Sequence, residues 1–400
     1  MGLISSTAPT NLLLWYLALP ARTLAADKPY STWMTDSFIT RGVPPTRWYT
    51  EATFYRGVEA VANHTTTLPN AYLDFLTTSL DAVLTPSGLP RNWDTTDHQL
   101  DHIRIGSTLL YLHTTTHPQK PRYRTAVDFL HAQLTTAQKR TPSGGFWHKD
   151  PKYPNQMWLD GLYMAAPFYA AYTALFQPDN TTAWDDILLQ FELVESHCRD
   201  ETSGMLRHGY DESKRAVWAD PETGASPHVW VRAQGWYLMA LVDVLEWFPR
   251  QHRGWGRLRG WFLELASALR REQDGDSGGW WLVMDGGYPG KKGNYIESSG
   301  TAMYAYGLLK GARSGLFGEG EEREVYVDVA RRAYGLMVDR FVARNGTGGT
   351  LNWEGTVKVG SLDGKGDYEY YIGVPVVENS LIGVGPFISA SVEMERANLA

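Results

Sequence analysis

TPSGLPRNWD at 85–94 is the first of five related loops; the others are TPSGGFWHKD at 141–150, DETSGMLRHGYD at 200–211, DGDSGGWWLVMD at 274–285 and GTGGTLNWEG at 346–355. Their anchoring glycines, Gly88, Gly144, Gly204, Gly278 and Gly348, step by 56, 60, 74 and 70 residues. Each step has room for two helices, so the pattern is an internal repeat of helical hairpins. Tight turns alone explain the glycines, but not the His, Asp, Lys and Trp that recur beside them.

The segments between the loops read as helices. In HQLDHIRIGSTLLYLH, 98–113, Leu100, Ile103, Leu110 and Tyr111 fall on one helical face. VWVRAQGWYLMALVDVLEWF, 229–248, is apolar almost all round, as in a helix buried on most sides. Further helices are predicted near 30–41, 46–64, 70–83, 121–138, 157–176, 182–199, 254–271, 297–311, 320–341 and 380–396, about twelve in all. Five loops alternating with short links imply six hairpins. The terminal segments are apolar rather than polar caps, so the array is expected to close on itself. The predicted fold is all-α, an (α/α)6 barrel, with every long loop at one end of the ring.

Hydrophobic residues make up 43% of the 400 and charged residues 20%, enough for a large core and too ordered a mixture for a disordered chain. A net charge of −7 argues against a nucleic-acid partner. Sixteen Trp and 22 Tyr are many, and amphipathic rings suit sugars, which present a C–H face and a rim of hydroxyls. The single cysteine, Cys198, excludes an intrachain disulfide. Residues 11–21, NLLLWYLALPA, are too short to span a bilayer and are followed by Ala25 and Ala26. They read as the core of a signal peptide covering 1–26, although no Lys or Arg precedes them, with one catalytic domain over 27–400. Sequons at Asn63, Asn180 and Asn345 agree with a secreted, glycosylated protein. No other stretch is apolar enough for a membrane helix, and nothing in the sequence speaks to oligomeric state.

Phosphate-loop, dinucleotide and HExxH patterns are missing, as is a nucleophile elbow, and no metal or organic cofactor is expected. Carboxylates, histidines and aromatics at helix starts remain, the equipment of acid–base chemistry on sugars. Asp160 in NQMWLDGLYM, 155–164, lies between Trp158, Leu159 and Tyr163, with Asn155 as the expected helix cap. Desolvation there should raise its pKa and keep a proton available. Asp101 follows Leu100 in the predicted helix, with Asp97 one turn earlier, and offers a second carboxylate. His208 stands in MLRHGYD. Arg232, in VWVRAQGW, needs an anionic partner or several acceptors if buried.

Together LDHIRIG (100–106), GGFWHKD (144–150), NQMWLDGLYMAAPF (155–168), RHGYD (207–211), WVRAQGWYLMAL (230–241), SSGTAMYAYGL (298–308) and NSLIGVGPF (379–387) resemble the unsaturated rhamnogalacturonyl hydrolases, glycoside hydrolase family 105. The resemblance runs from about residue 30 to 396 and also implies an (α/α)6 barrel. It implies that Asp160 protonates C4 of a C4=C5 unsaturated uronic acid and then serves as base toward water adding at C5. The hemiketal formed opens and the glycosidic bond collapses. Asp101 matches the family's second carboxylate. His208, Trp230 and Arg232 match substrate positions, Arg232 as uronate clamp, and Trp158, Met164 and His148 fall in the same motifs. Trp48 and Tyr55, in TRWYTEATFYRG at 46–57, would wall a subsite. The Gly-, Lys- and Asp-rich loop 342–379 looks particular to a subgroup and is placed at the aglycone. Three other readings stay open: an unsaturated glucuronyl hydrolase, an ordinary inverting glycosidase and a non-catalytic sugar-binding toroid.

Overall fold

A computed structural model describes residues 28–66, 69–346 and 349–398. The signal-peptide segment, 1–26, lies outside them. The helices are α1 Tyr30–Arg41, α2 Tyr49–Ala62, α3 Pro69–Val83, α4 Gly106–Thr115, α5 Pro121–Ala132, α6 Leu159–Phe176 and α7 Thr181–Cys198. They continue with α8 Val231–Trp247, α9 Arg253–Arg271, α10 Ser298–Arg313, α11 Glu321–Leu336, α12 Tyr368–Gly373 and α13 Leu381–Arg396. Helices α2, α4, α6, α8, α10 and α13 pack in sequence, and α13 returns against α2, closing an inner ring. Helices α1, α3, α5, α7, α9 and α11 form the outer layer, each paired with an inner helix. This is the six-hairpin α/α toroid expected from the loop repeat.

Burial explains which helix lies where. In α8 every residue from Val231 to Leu245 is buried, because neighbours cover it on all sides. In α9 only one stripe, including Leu258, Phe262, Leu265 and Leu269, is buried, and its Arg residues face outward. Closure of the ring needs a close backbone approach between α13 and α2. A Cβ on Gly385 would stand 2.4 Å from the Thr53 carbonyl oxygen, and one on Gly57 would stand 3.0 Å from the Gly385 carbonyl oxygen. Inside α6, Pro167 has no N–H to give the Tyr163 carbonyl. The buried Arg104 supplies Nη1 to that oxygen at 3.5 Å and Nη2 to the Tyr163 hydroxyl at 2.6 Å.

All five long loops run from an outer to an inner helix and meet at the N-terminal ends of the inner ring. Short ladders stitch neighbouring loops together: β1 (His98–Gln99) with β2 (Lys149–Asp150), and β3 (Gln156–Trp158) with β4 (Gly209–Asp211). In the last loop β5 (Val342–Asn345) pairs with β6 (Thr350–Trp353), and β7 (Thr356–Val357) with β8 (Val376–Val377). One bond recurs around the ring. The amides of Leu100, Leu159, Val231 and Ser298 donate to the carbonyls of His148, His208, Leu282 and Gly355, at 3.2, 3.0, 3.0 and 3.1 Å. Each ties an inner-helix start to the following loop and satisfies a donor the helix itself cannot.

Two expectations are corrected. The segment 98–113 is not one helix: a strand and a 3-10 turn (Leu100–His102) precede α4. Pairing with the next loop overrides the local periodicity, so Asp97 is not a helical turn away from Asp101; its carboxylate accepts from Gln99 Nε2 at 2.6 Å. Asn155 does not cap α6 either. It sits at φ +59° in the turn before β3, and the residue before α6 is the extended Trp158.

Candidate active site

The repeated amide bond sets a register. The residue after each bonded amide is Asp101, Asp160, Arg232 or Ser299, so the first three reach equivalent places around the ring, Asp101 in the turn before α4 and the other two at the starts of α6 and α8. Asp101, Asp160 and Arg232 line one cavity of about 150 Å³ at the loop end of the ring. Trp158, Met164, Trp230 and His148 line it too, with Tyr49 and Trp236. Val359–Ser361 and Asp363 close one side. A larger cavity of about 360 Å³ opens at the other end, among the C-terminal halves of the inner helices. Its charges are already paired, Lys310 with Asp243 and Glu246 at 2.7 Å each and Arg313 with Glu393 at 2.6 Å, so size does not mark the reactive site.

Asp160 Oδ2 lies 3.0 Å from His208 Nε2. Burial by itself would push this carboxyl up, but electrostatic attraction to the His208 ring and the hydrogen bond it makes, and then the electrostatics of the His148 ring, outweigh it and hold the group below the usual carboxylate range. The expected rise from desolvation is therefore reversed, by a partner 48 residues further along the chain. Asp101 goes the other way. Lys149 Nζ is 2.5 Å from its Oδ2, yet burial outweighs that cation and raises the pKa. Two carboxyls on one wall are thus driven apart, Asp101 toward its protonated form and Asp160 toward the carboxylate.

His208 does not contact the cavity. It is fully buried behind Asp160, its ring 4.8 Å from that of Trp230 and 5.5 Å from that of Trp158, with Nδ1 2.8 Å from the Tyr371 hydroxyl. His148 stacks on Trp158 at 4.5 Å, and burial followed by Lys149 keeps its imidazole well below its ordinary pKa, hence neutral. Arg232 is 2% exposed and lies 4.6 Å over Trp230. Its Nη1 donates to the Val357 carbonyl at 2.6 Å and its Nη2 to that of Lys358. Several acceptors, not an acid, satisfy it; among the described residues no carboxylate pairs with Arg232.

Of the two first-hairpin aromatics, Tyr55 departs from the expectation and Trp48 does not. Trp48 is 38% exposed and stands beside the cavity, 5.5 Å from Lys149 Nζ, while its neighbour Tyr49 lines the wall. Tyr55 is fully buried, packed edge-on against Phe75, and cannot wall a subsite. Sequence reading passed over Lys149, although it follows His148 in GGFWHKD. It also passed over Lys152, Tyr153, Ser361 and Asp363, which form the rim: Tyr153 donates to Asp363 at 2.5 Å and lies 3.1 Å from the Ser361 hydroxyl, and Lys152 pairs with Asp363 at 3.1 Å. The last three lack any local motif. No group of three His, Cys, Asp or Glu is arranged around a metal position among the described residues.

Glycosyl Hydrolase Family 88 matches residues 28–398. The chain belongs to that family. It is similar to Protein Atu3128 of Agrobacterium fabrum, 36% identical over 215 residues, which are 52% of this chain and 89% of that protein. It is also similar to a solved glycoside hydrolase from family 105 of C. acetobutylicum ATCC 824. That structure is 36% identical, with a TM-score of 0.85, over 92% of this chain and all of the other. A possible family 105 member from Salmonella enterica, 21% identical with a TM-score of 0.71 over 88% of this chain and 83% of the other, shares the fold. The expected kinship with family 105 holds, and this family 88 chain is a glycoside hydrolase.

Proposed function

We propose that this glycoside hydrolase removes the terminal 4,5-unsaturated galacturonyl residue from rhamnogalacturonan-derived oligosaccharides. The observation that carries the proposal is Arg232, a buried guanidinium with no carboxylate partner on the wall that also holds Asp160. A buried cation short of a counter-charge favours an anionic ligand, and the planar guanidinium suits a uronate carboxylate. The cavity has room for about one sugar ring, which favours attack at a chain end over attack within it. Asp160 then donates its proton to C4, positive charge develops at C5 and the ring oxygen, water adds at C5 with Asp160 as base, and the hemiketal opens. The uronate's negative charge opposes ionisation of Asp160, so the carboxyl takes up its proton as substrate arrives.

Replacing Arg232 by Lys keeps the charge and loses the fork. We expect KM to rise and kcat/KM to fall roughly 10–100-fold, the worth of about 1.5–3 kcal/mol for charge-assisted bonds. A substrate methyl-esterified at the uronate should lose as much on the wild type and little more on the variant. If the ester is turned over as well as the acid, Arg232 is not the clamp.

A second reading keeps the chemistry and changes the sugar. The unsaturated glucuronyl hydrolase of Bacillus sp. GL1 shares this fold, at 14% identity and a TM-score of 0.65 over 92% of this chain and 96% of the other. Comparing unsaturated galacturonyl-rhamnose with an unsaturated glucuronyl disaccharide separates the two. We further propose secretion, with 1–26 as signal peptide; Asn63, Asn180 and Asn345 are all exposed. N-terminal sequencing and the mass of the protein exported by its host test this.

A further inference from the structure

Loop five contributes one short helix, α12, that touches both the reacting carboxyl's partner and the cavity rim. Tyr371 on α12 is 1% exposed, stacks on Trp230 at 5.7 Å and reaches His208 Nδ1. The adjacent Tyr370 accepts the Ser361 amide at 2.6 Å and so fixes the rim. His208 is thus held at both nitrogens, by Tyr371 on one side and Asp160 on the other, between two indoles.

We propose that Tyr371 is a positioning residue: its hydroxyl donates to His208 Nδ1, which places the imidazole proton on Nε2 and makes His208 a neutral hydrogen-bond donor to Asp160. The direction follows from hydrogen-bond accounting. A buried tyrosine hydroxyl that accepted from Nδ1–H would leave its own proton with no acceptor, since among the described residues His208 is its sole hydrogen-bond partner. Donating satisfies both groups. Burial also pushes the Tyr371 phenol well up, so it keeps its proton. With Nδ1 occupied by a donor, the ring cannot take a second proton there, and Asp160 faces a neutral donor rather than a full cation. A bare imidazolium would hold Asp160 as carboxylate more firmly and deplete the acid that the reaction consumes. The other charged or titratable groups facing Asp160 are His148 on loop two, Asp101 before α4, and Tyr49 on α2, with Arg232 on α8 lining the same cavity.

This inference rests on Asp160 being the acid, but its first test does not. Histidine 15N NMR on the full chain, with the His208 signal identified by its loss in His208→Gln, reports the tautomer without any substrate. The expected result is a protonated Nε2 and an unprotonated, hydrogen-bonded Nδ1. A proton on Nδ1 in the wild type overturns the proposal. Tyr371→Phe keeps the ring and removes the donor. It should open the Nδ1–H and imidazolium forms to His208, and move the alkaline limb of the kcat–pH profile to lower pH by about one unit, with KM little changed. An unchanged tautomer and an unchanged limb would also overturn it. If instead Asp160→Asn stays active, the catalytic reading fails while the tautomer result still decides the role of Tyr371.

Discussion

Asp101, in the turn before α4, and Asp160, at the start of α6, follow equivalent bonded amides, yet their surroundings drive them in opposite directions. Asp160→Asn should cut kcat by about 10²–10⁴ with the fold unchanged, read from initial rates and the melting temperature. Lys149→Met would leave Asp101 buried without its cation. We expect it to destabilise the fold by about 3–5 kcal/mol, measured by denaturant unfolding, and Lys149→Met with Asp101→Asn should recover most of that loss. At this scale the sequence was half legible. Asp160 stood out because an acid in so apolar a stretch is expensive. The sign of its shift was hidden because the deciding group, His208, arrives through a neighbouring loop. Tyr55 misled for a related reason: an aromatic near a motif says nothing about which side of its helix it faces, and this one faces α3, where Phe75 lies.

Among the elements, the outer-to-inner loops and the inner helices carry the design. Glycine spacing alone located the loops, because a glycine with positive φ recurs at four of the anchoring positions, Gly88, Gly144, Gly204 and Gly278, at +95° in the first two. The helix α12 was not foreseen, since six residues are too few to show a period and its partners, His208 and Lys292 among them, come from the α7–α8 and α9–α10 connections. The closing contact belongs here too. Gly385→Ala would set a Cβ 2.4 Å from the Thr53 carbonyl oxygen, a backbone atom that cannot swing aside. We expect a loss of about 1–3 kcal/mol. Gly256→Ala, where no atom lies within 4 Å, should cost nothing by the same unfolding measurement.

For the whole molecule, six hairpins, an apolar start and end, and loops gathered at one mouth were readable from spacing, and closure followed from having no polar cap. The substrate was not readable, because the cavity rim is assembled from residues of distant loops, such as Tyr153 and Asp363. One bulk property follows from buried histidines. Burial, aided by Arg47, pushes His102 down to about 4, and burial pushes His131 down to about 4, from an ordinary 6.5. Below pH 6.5 the unfolded chain takes protons that the folded one refuses, so these groups make stability fall as pH drops toward 4 and leave it level above 6.5. The melting temperature should follow that slope, and His131→Gln should flatten it. The central claim is that Asp160 and Arg232 serve hydration of an unsaturated uronide. Its most direct test is the ultraviolet absorbance of the C4=C5 chromophore during incubation with unsaturated galacturonyl-rhamnose, beside a saturated control. The account predicts that the absorbance disappears with the unsaturated sugar and that the saturated one is untouched. Persistent absorbance, or cleavage of the saturated control, would contradict it.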